Sequence, residues 1–262
     1  MGRVREYNSA MAVRLLGILL CAAMVPARAQ AQAPARERPR PIAVGFQTED
    51  GIRIKADFSR PRGAKPVVVM LHGVAAGRRE WDPLVAELRL LGFGTLQLDA
   101  RGHGESGGPR FDTFRTPESW EALGKDLDAA LSFLKTRGYG EERTALAGAS
   151  IGANLALRCA VRHPGVGWVA LLSPGIAYQG LRIKPDFLRF ERPVLLAAAA
   201  DDPYATKSCE ELSPYARNPA ARFLRAGSGH GAQMFSGEVN RSFLKELLRW
   251  MNERSSSAAK KT

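Results

Sequence analysis

The sequence predicts an α/β domain: a mostly parallel sheet covered by helices on both faces, with an antiparallel hairpin at its front edge. Three observations lead there. Apolar runs of strand length alternate with amphipathic stretches of helical period, the order that builds a parallel sheet through helical crossovers. The runs "PVVVMLHG" (66–73), "TALAGAS" (144–150) and "RPVLLAAAA" (192–200) are continuous, as strands buried on both faces must be. By contrast, "IAVGFQTEDGIRIKADFS" (42–59) alternates around Asp50-Gly51, the mark of a hairpin with a tight turn.

Taken in order, the hairpin at 42–59 and the strand at 66–73 are followed by a helix over 78–92, with Trp81, Leu84, Val85, Leu88 and Leu91 on one face. "FGTLQLDA" (93–100) reads as a strand and 117–138 as a helix. The strand at 144–150 runs into a helix at 151–164, stopped by Pro164. Strands at 167–175, 192–200 and 221–227, a helix near 205–217 and a closing helix at 238–253 complete one domain over 42–253. Between the strands at 167–173 and 193–199 lie only 19 residues, "PGIAYQGLRIKPDFLRFER" (174–192), too few for a cap domain. Two readings of Tyr178, Leu181, Ile183, Phe187, Leu188 and Phe190 stand side by side: they wall one side of a pocket, or they finish the core beneath a surface loop.

The ends read differently. Arg3, Arg5 and Arg14 precede the apolar run "LLGILLCAAMV" (15–25), and A-x-A sites follow in "PARAQAQA" (26–33). That pattern is an export signal, with cleavage after Ala29 or Ala33. The run is shorter than the roughly 20 residues of a membrane span. Leu20 before Cys21 argues against lipid attachment. The expectation is a periplasmic or secreted protein with no stable membrane span after cleavage, a linker at 34–41 and a disordered tail at 254–262.

With 45% hydrophobic and 24% charged residues, the 262-residue chain affords a sizeable core. Its formal charge is +12; residues 1–33 hold four arginines and one glutamate, so the remainder carries +9. The basic residues are scattered among acids without dense blocks or interleaved aromatics, which argues against nucleic acid as a partner. Beyond residue 33 only Cys159 and Cys209 remain, too few for a disulfide-built fold, although one bridge is compatible with an oxidising compartment. Their helices are expected on the same face of the sheet. No Cys/His cluster with metal-ligand spacing stands out, and no cofactor is implied.

The chemistry centres on "GASIG" (148–152), where a buried strand gives way to a helix. There a serine between two glycines forms a nucleophile elbow, and Ser150 is the candidate nucleophile. A serine hydroxyl needs a base to take its proton and an acid to orient that base. Of the four histidines, His230 in "GSGHG" (227–231) lies between the last strand and the last helix and is the candidate base. His163 sits at a helix end more than three turns from Ser150, a capping or surface position, and His72 is expected to brace its loop. The acid should fall between serine and histidine, where "AAAADDPYA" (197–205) ends a strand; Asp202, followed by Pro203, is preferred to Asp201. The backbone N–H groups of Val74, in "LHGVAAG" (71–77), and Ile151 are the candidate oxyanion donors. "GHGESG" (102–107) matches a dinucleotide fingerprint, but Pro109 and further loop follow it where a helix should start, so it reads as a loop glycine cluster.

In order and spacing, "LHGVAAG", "LDARGHGES" (98–106), "GASIG", "VLLAAAADD" and "GSGHG" resemble the α/β-hydrolase superfamily over residues 42–252. The chain looks like its small uncapped serine hydrolases, related to dienelactone hydrolases and bacterial esterases. Dienelactone hydrolases usually carry a cysteine nucleophile, so Ser150 argues against that activity here. The resemblance implies a three-layer fold without a cap domain and a Ser150–Asp202–His230 hydrolase acting on a small carboxylic ester without metal or organic cofactor. Thioesterase, peptidase, cofactor-free perhydrolase or haloperoxidase, and a non-catalytic binding module are the rivals.

Overall fold

The computed structural model describes residues 41–258; the expected export signal and most of the linker fall outside them. The antiparallel hairpin forms from β1 (Ile42–Gln47) and β2 (Arg53–Ser59). The continuous apolar runs become β3 (Val67–Leu71), β4 (Gly94–Leu98), β5 (Thr144–Ala149), β6 (Val169–Leu172) and, nearer the C-terminus, β9 (Val194–Ala199), every residue of them buried. With β10 (Arg222–Ala226) they make one eight-stranded sheet in the order β1-β2-β4-β3-β5-β6-β9-β10. From β4 to β10 all neighbours are parallel, whereas β2 joins β4 antiparallel.

Because side chains alternate across a strand, each buried strand feeds two cores. Val67, Val69 and Leu71 face one layer, with α3 (Gly124–Lys135), α4 (Ile151–Arg162) and α6 (Pro203–Leu212). Val68 and Met70 face the other, with α1 (Asp82–Leu90) and α7 (Arg241–Ala258). The helix expected over 117–138 is broken into α2 (Pro117–Glu121) and α3. Tighter three-residue turns at Leu123 and Lys125 interrupt it, and Gly124 favours such an interruption. The break lets Trp120 and Leu123 both reach the core. At the other end, α7 runs to Ala258, into the segment expected as a tail. Ser255 is buried there, and its hydroxyl takes a hydrogen bond from Lys65 Nζ at 2.6 Å.

The 174–192 segment has more structure than its sequence pattern suggested. It folds into a tiny hairpin, β7 (Ala177–Tyr178) and β8 (Leu181–Arg182), followed by α5 (Lys184–Arg189). Gln179 and Gly180 both take positive φ, 50° and 81°, which a two-residue primed turn requires. Leu181, Ile183, Phe187 and Phe190 are buried in the core, and Leu188 is exposed. Finishing the core is thus the reading that holds for most of them; Tyr178, half-buried, is treated below.

Cys159 and Cys209 lie in the same core layer, as expected of their helices, but both thiols are free and the possible bridge does not form. His163 caps α4, its ring held between Asp128 (3.0 Å) and Glu141 (2.8 Å); both carboxylates push its pKa up.

Candidate active site

The strand–turn–helix at 148–152 has little room. A Cβ on Gly148 would lie 2.1 Å from the Gly152 carbonyl oxygen, and one on Gly152 would lie 2.4 Å from that of Leu71. Only glycine fits at either place, and Ser150 between them is forced to φ 57°, ψ −124°. A non-glycine residue in such a conformation costs on the order of 1–3 kcal/mol and persists only where its surroundings dictate it. Here the Ser150 amide is tied to Leu172 O at 2.8 Å, and its side chain stands at the N-terminus of α4.

The loops after β6, β9 and β10 close around this elbow. Ser173, just past β6, accepts a hydrogen bond on its hydroxyl from the Gly231 amide (2.9 Å). Gly231 is packed so closely that a Cβ there would lie 3.0 Å from that of Ala149. His230 is thereby held beside the elbow. Its Nδ1 meets Asp202 Oδ2 at 2.7 Å, and because a carboxylate only accepts, Nδ1 carries the proton and Nε2 presents a lone pair. Asp202 side-chain exposure is 12% against 43% for His230, so the acid is shielded while the imidazole opens to solvent. The other Asp202 oxygen caps α6 through the Ala205 amide (3.2 Å). Asp201 has a separate job: it accepts from the Gly229 amide at 2.8 Å and steadies the histidine loop.

Beside the elbow lies the loop after β3. A Cβ on Gly73 would sit 3.3 Å from that of Ser150, and Ala75 turns the chain with φ 56°. The amides of Val74 and Ile151 have no protein acceptor among the described residues. His72 braces the loop as expected: Nδ1 donates to Gly73 O (2.7 Å) and Nε2 accepts from the Ala100 amide (3.0 Å). Burial drops its pKa to about 4, so the brace is neutral.

Three more side chains contribute to this site, and of them only Tyr178 was among the residues the sequence offered, as one wall of a pocket. Glu80 accepts from the Gly73 amide at 3.2 Å. The Asn154 carboxamide, one turn after Ser150, bonds Gly175 N and O and Leu181 O, fastening both ends of the β7–β8 hairpin to α4. That hairpin sets the Tyr178 hydroxyl close to Ser150 and 3.2 Å from Ser173 O, to which it donates.

Glu80 carries a prediction. Burial raises its pKa from 4.5 to about 7. Between those values the unfolded chain ionises while the folded one keeps its proton, so stability present below pH 4.5 is lost as pH rises through 7. Glu80→Gln, which keeps an acceptor for Gly73, should therefore melt several degrees above the parent at pH 8 and alongside it at pH 4.5. Thermal unfolding at the two values checks this.

The "GHGESG" loop is a structural knot, as its sequence context suggested. A Cβ on Gly102 would strike Pro109 O and one on Gly104 the Asp99 carboxylate, which also accepts from the amides of Arg78 (2.7 Å) and Glu105 (2.9 Å). One group of metal-ligand type does come together: Asp128, Cys159 and His163, the latter two one helical turn apart on α4, a spacing visible in the sequence. Its donors are already engaged. Arg162 holds Asp128, both His163 nitrogens are bonded, and burial pushes the Cys159 thiol well up.

A doubly wound sheet with a serine elbow at the edge where its parallel strands end defines an α/β-hydrolase. Within that class the chain belongs to the serine aminopeptidase S33 (Hydrolase_4) family, whose model matches residues 62–260. Among solved structures it is similar to the esterase Pf2001 of Pyrococcus furiosus, with a TM-score of 0.70, 18% identity, and 82% of this chain and 91% of that one covered. It is also similar to Est1E of Butyrivibrio proteoclasticus, solved with ferulic acid (TM-score 0.67, 17% identity, 80% and 99% covered). A third is the dienelactone hydrolase of Anabaena variabilis (TM-score 0.65, 17% identity, 82% and 97% covered). At these identities the likeness speaks for the fold.

Proposed function

We propose that this hydrolase is a serine esterase working through an acyl-enzyme intermediate. The observation that carries the reading is the 2.7 Å bond from His230 Nδ1 to the shielded Asp202 carboxylate, at the end of the sheet where Ser150 stands in its elbow. In this reading Ser150 Oγ attacks the ester carbonyl as His230 Nε2 takes its proton. The amides of Val74 and Ile151 receive the developing oxyanion, and Asp202 holds the ring and balances the imidazolium. His230 returns the proton to the departing alkoxide, and water, activated by the same ring, releases the acid. A fluorophosphonate probe should label Ser150, and p-nitrophenyl esters should be turned over by the purified protein. Labelling without turnover of esters would favour a thioesterase or peptidase on the same residues. Neither labelling nor turnover would leave a binding module.

The short hairpin over the site supports an open cleft with preference for short or awkwardly shaped esters. The rate is expected to rise smoothly through the critical micelle concentration of a longer ester, with no jump, since no lid domain has to open. Export enters the same proposal from the N-terminal sequence: intact-mass measurement of the protein from its host should find a chain beginning at Gln30 or Pro34.

A further inference from the structure

Tyr178 has no part in the reaction above, yet its half-buried side chain is held firmly beside the nucleophile. The Tyr204 hydroxyl donates to Ala177 O (2.7 Å) and accepts from the Ala177 amide (3.0 Å), strapping β7 to the turn that carries Asp202. The two tyrosine rings meet edge-on with centroids 5.5 Å apart. Gly175 leaves room for them, since a Cβ there would lie 2.6 Å from the Tyr178 ring.

The direction of its one proton decides what this hydroxyl can do. A phenol has a single hydrogen to donate and an oxygen that also accepts. The hydrogen goes to Ser173 O at 3.2 Å, so the oxygen is left to act as an acceptor beside Ser150. Burial, and after it the charge of Asp202, push the phenol well above the ordinary tyrosine range. It therefore stays uncharged wherever His230 is a working base.

Sheet order says which side of the serine this acceptor occupies. Ser150 ends β5, with β3 on one flank and β6 on the other. The proposed oxyanion donor Val74 follows β3, whereas the Tyr178 hairpin follows β6. Asp202 and His230 follow β9 and β10, farther along that same flank. Tyr178 thus stands opposite the oxyanion loop, on the side from which His230 works.

In the free enzyme the donor nearest to that oxygen is Ser150 itself. Once an acyl group sits on Oγ, that hydrogen is gone. The next donor to arrive is water, which has two hydrogens. One passes to His230 Nε2, and the other needs an acceptor close to the acyl carbon, which is one bond from Oγ.

We propose that Tyr178 is a catalytic residue of deacylation, its phenolic oxygen accepting the second hydrogen of the hydrolytic water. The inference rests on the acyl-enzyme reading. In this step the water oxygen bonds to the acyl carbon as its first proton moves to Nε2. The carbon–Oγ bond then breaks, and Oγ takes that proton back from His230. The second hydrogen leaves on the carboxylic acid, held by Tyr178 until the acid departs.

Methanol supplies the test, because its one hydroxyl hydrogen satisfies His230 and leaves nothing for Tyr178. p-Nitrophenyl butyrate is turned over at a fixed methanol concentration, and butyrate and methyl butyrate are counted at low conversion. Tyr178→Phe, which keeps the ring, should raise the ratio of methyl ester to acid about tenfold, the worth of one hydrogen bond to the water. A ratio of products does not depend on how much protein is active, so partial misfolding cannot imitate the change. Without methanol, the acyl-enzyme, followed by intact mass after the ester is consumed, should decay about tenfold more slowly in the variant. An unmoved ratio, the mark of a merely loosened hairpin that slows both nucleophiles alike, would overturn the proposal. So would a raised ratio with unchanged decay in water, which would mean only that the lost oxygen made room for methanol. If the parent turns over no ester, the esterase reading fails and this inference with it. A parent that does, paired with an unmoved ratio in the variant, sinks this inference alone.

Discussion

Ser150→Ala should abolish hydrolysis while leaving the melting temperature within a few degrees of the parent. Loss of the nucleophile from a serine–histidine–aspartate site costs about six orders of magnitude in kcat, leaving only the residual catalysis of the oxyanion donors and of binding. The fold should tolerate the change because the elbow is imposed from outside the side chain. Gly148 and Gly152 are pressed against neighbouring backbone, and the Ser150 amide is bonded to Leu172 O, none of which involves Oγ. Initial rates on a p-nitrophenyl ester and a circular-dichroism melt settle it together. Activity within tenfold of the parent would remove Ser150 from the mechanism.

A second large effect separates two neighbours. Asp202→Asn should lower kcat by about four orders of magnitude, because the amide NH₂ at the Oδ2 position would favour the tautomer that protonates Nε2, the nitrogen needed as base. Asp201→Asn should cost a few-fold at most, since the amide oxygen can still accept from Gly229 N. Steady-state kinetics of both variants on one ester give the answer, and an inverted order would move the acid by one residue.

The parts of the fold that were readable are those where one side chain per position decides the outcome. A strand such as Val67–Leu71, buried on both faces, has to be a continuous apolar run, and Gly148 and Gly152 betray an elbow because nothing larger fits. Chain order alone was enough to put Ser150, Asp202 and His230 at the same edge of the sheet. The Ala177–Tyr178 and Leu181–Arg182 strands are too short to show a period, and their turn uses Gln179 at positive φ, where glycine or asparagine would have signalled it. The break before Gly124 answers to Trp120 and Leu123 meeting the core, a demand set by tertiary packing. Glu80 and Asn154 matter only through partners across a turn or far away in sequence, so their types and spacing revealed nothing, whereas Tyr178 stood among the residues offered as one wall of a pocket. The tail was misread at Ser255, a polar residue whose burial depends on Lys65.

Asn154 holds the rim of the cleft to the nucleophile helix through one carboxamide reaching Gly175 and Leu181, and only five residues lie between those two anchors. Such an arrangement divides the molecule into a scaffold and an exchangeable mouth. The stretch 176–180 can be lengthened, shortened or rewritten in a library without touching the sheet, provided both carbonyls return to Asn154. Evolution or a protein engineer thus has a splice point at which a different cap, with or without the Tyr178 hydroxyl, can be fitted over the same serine elbow.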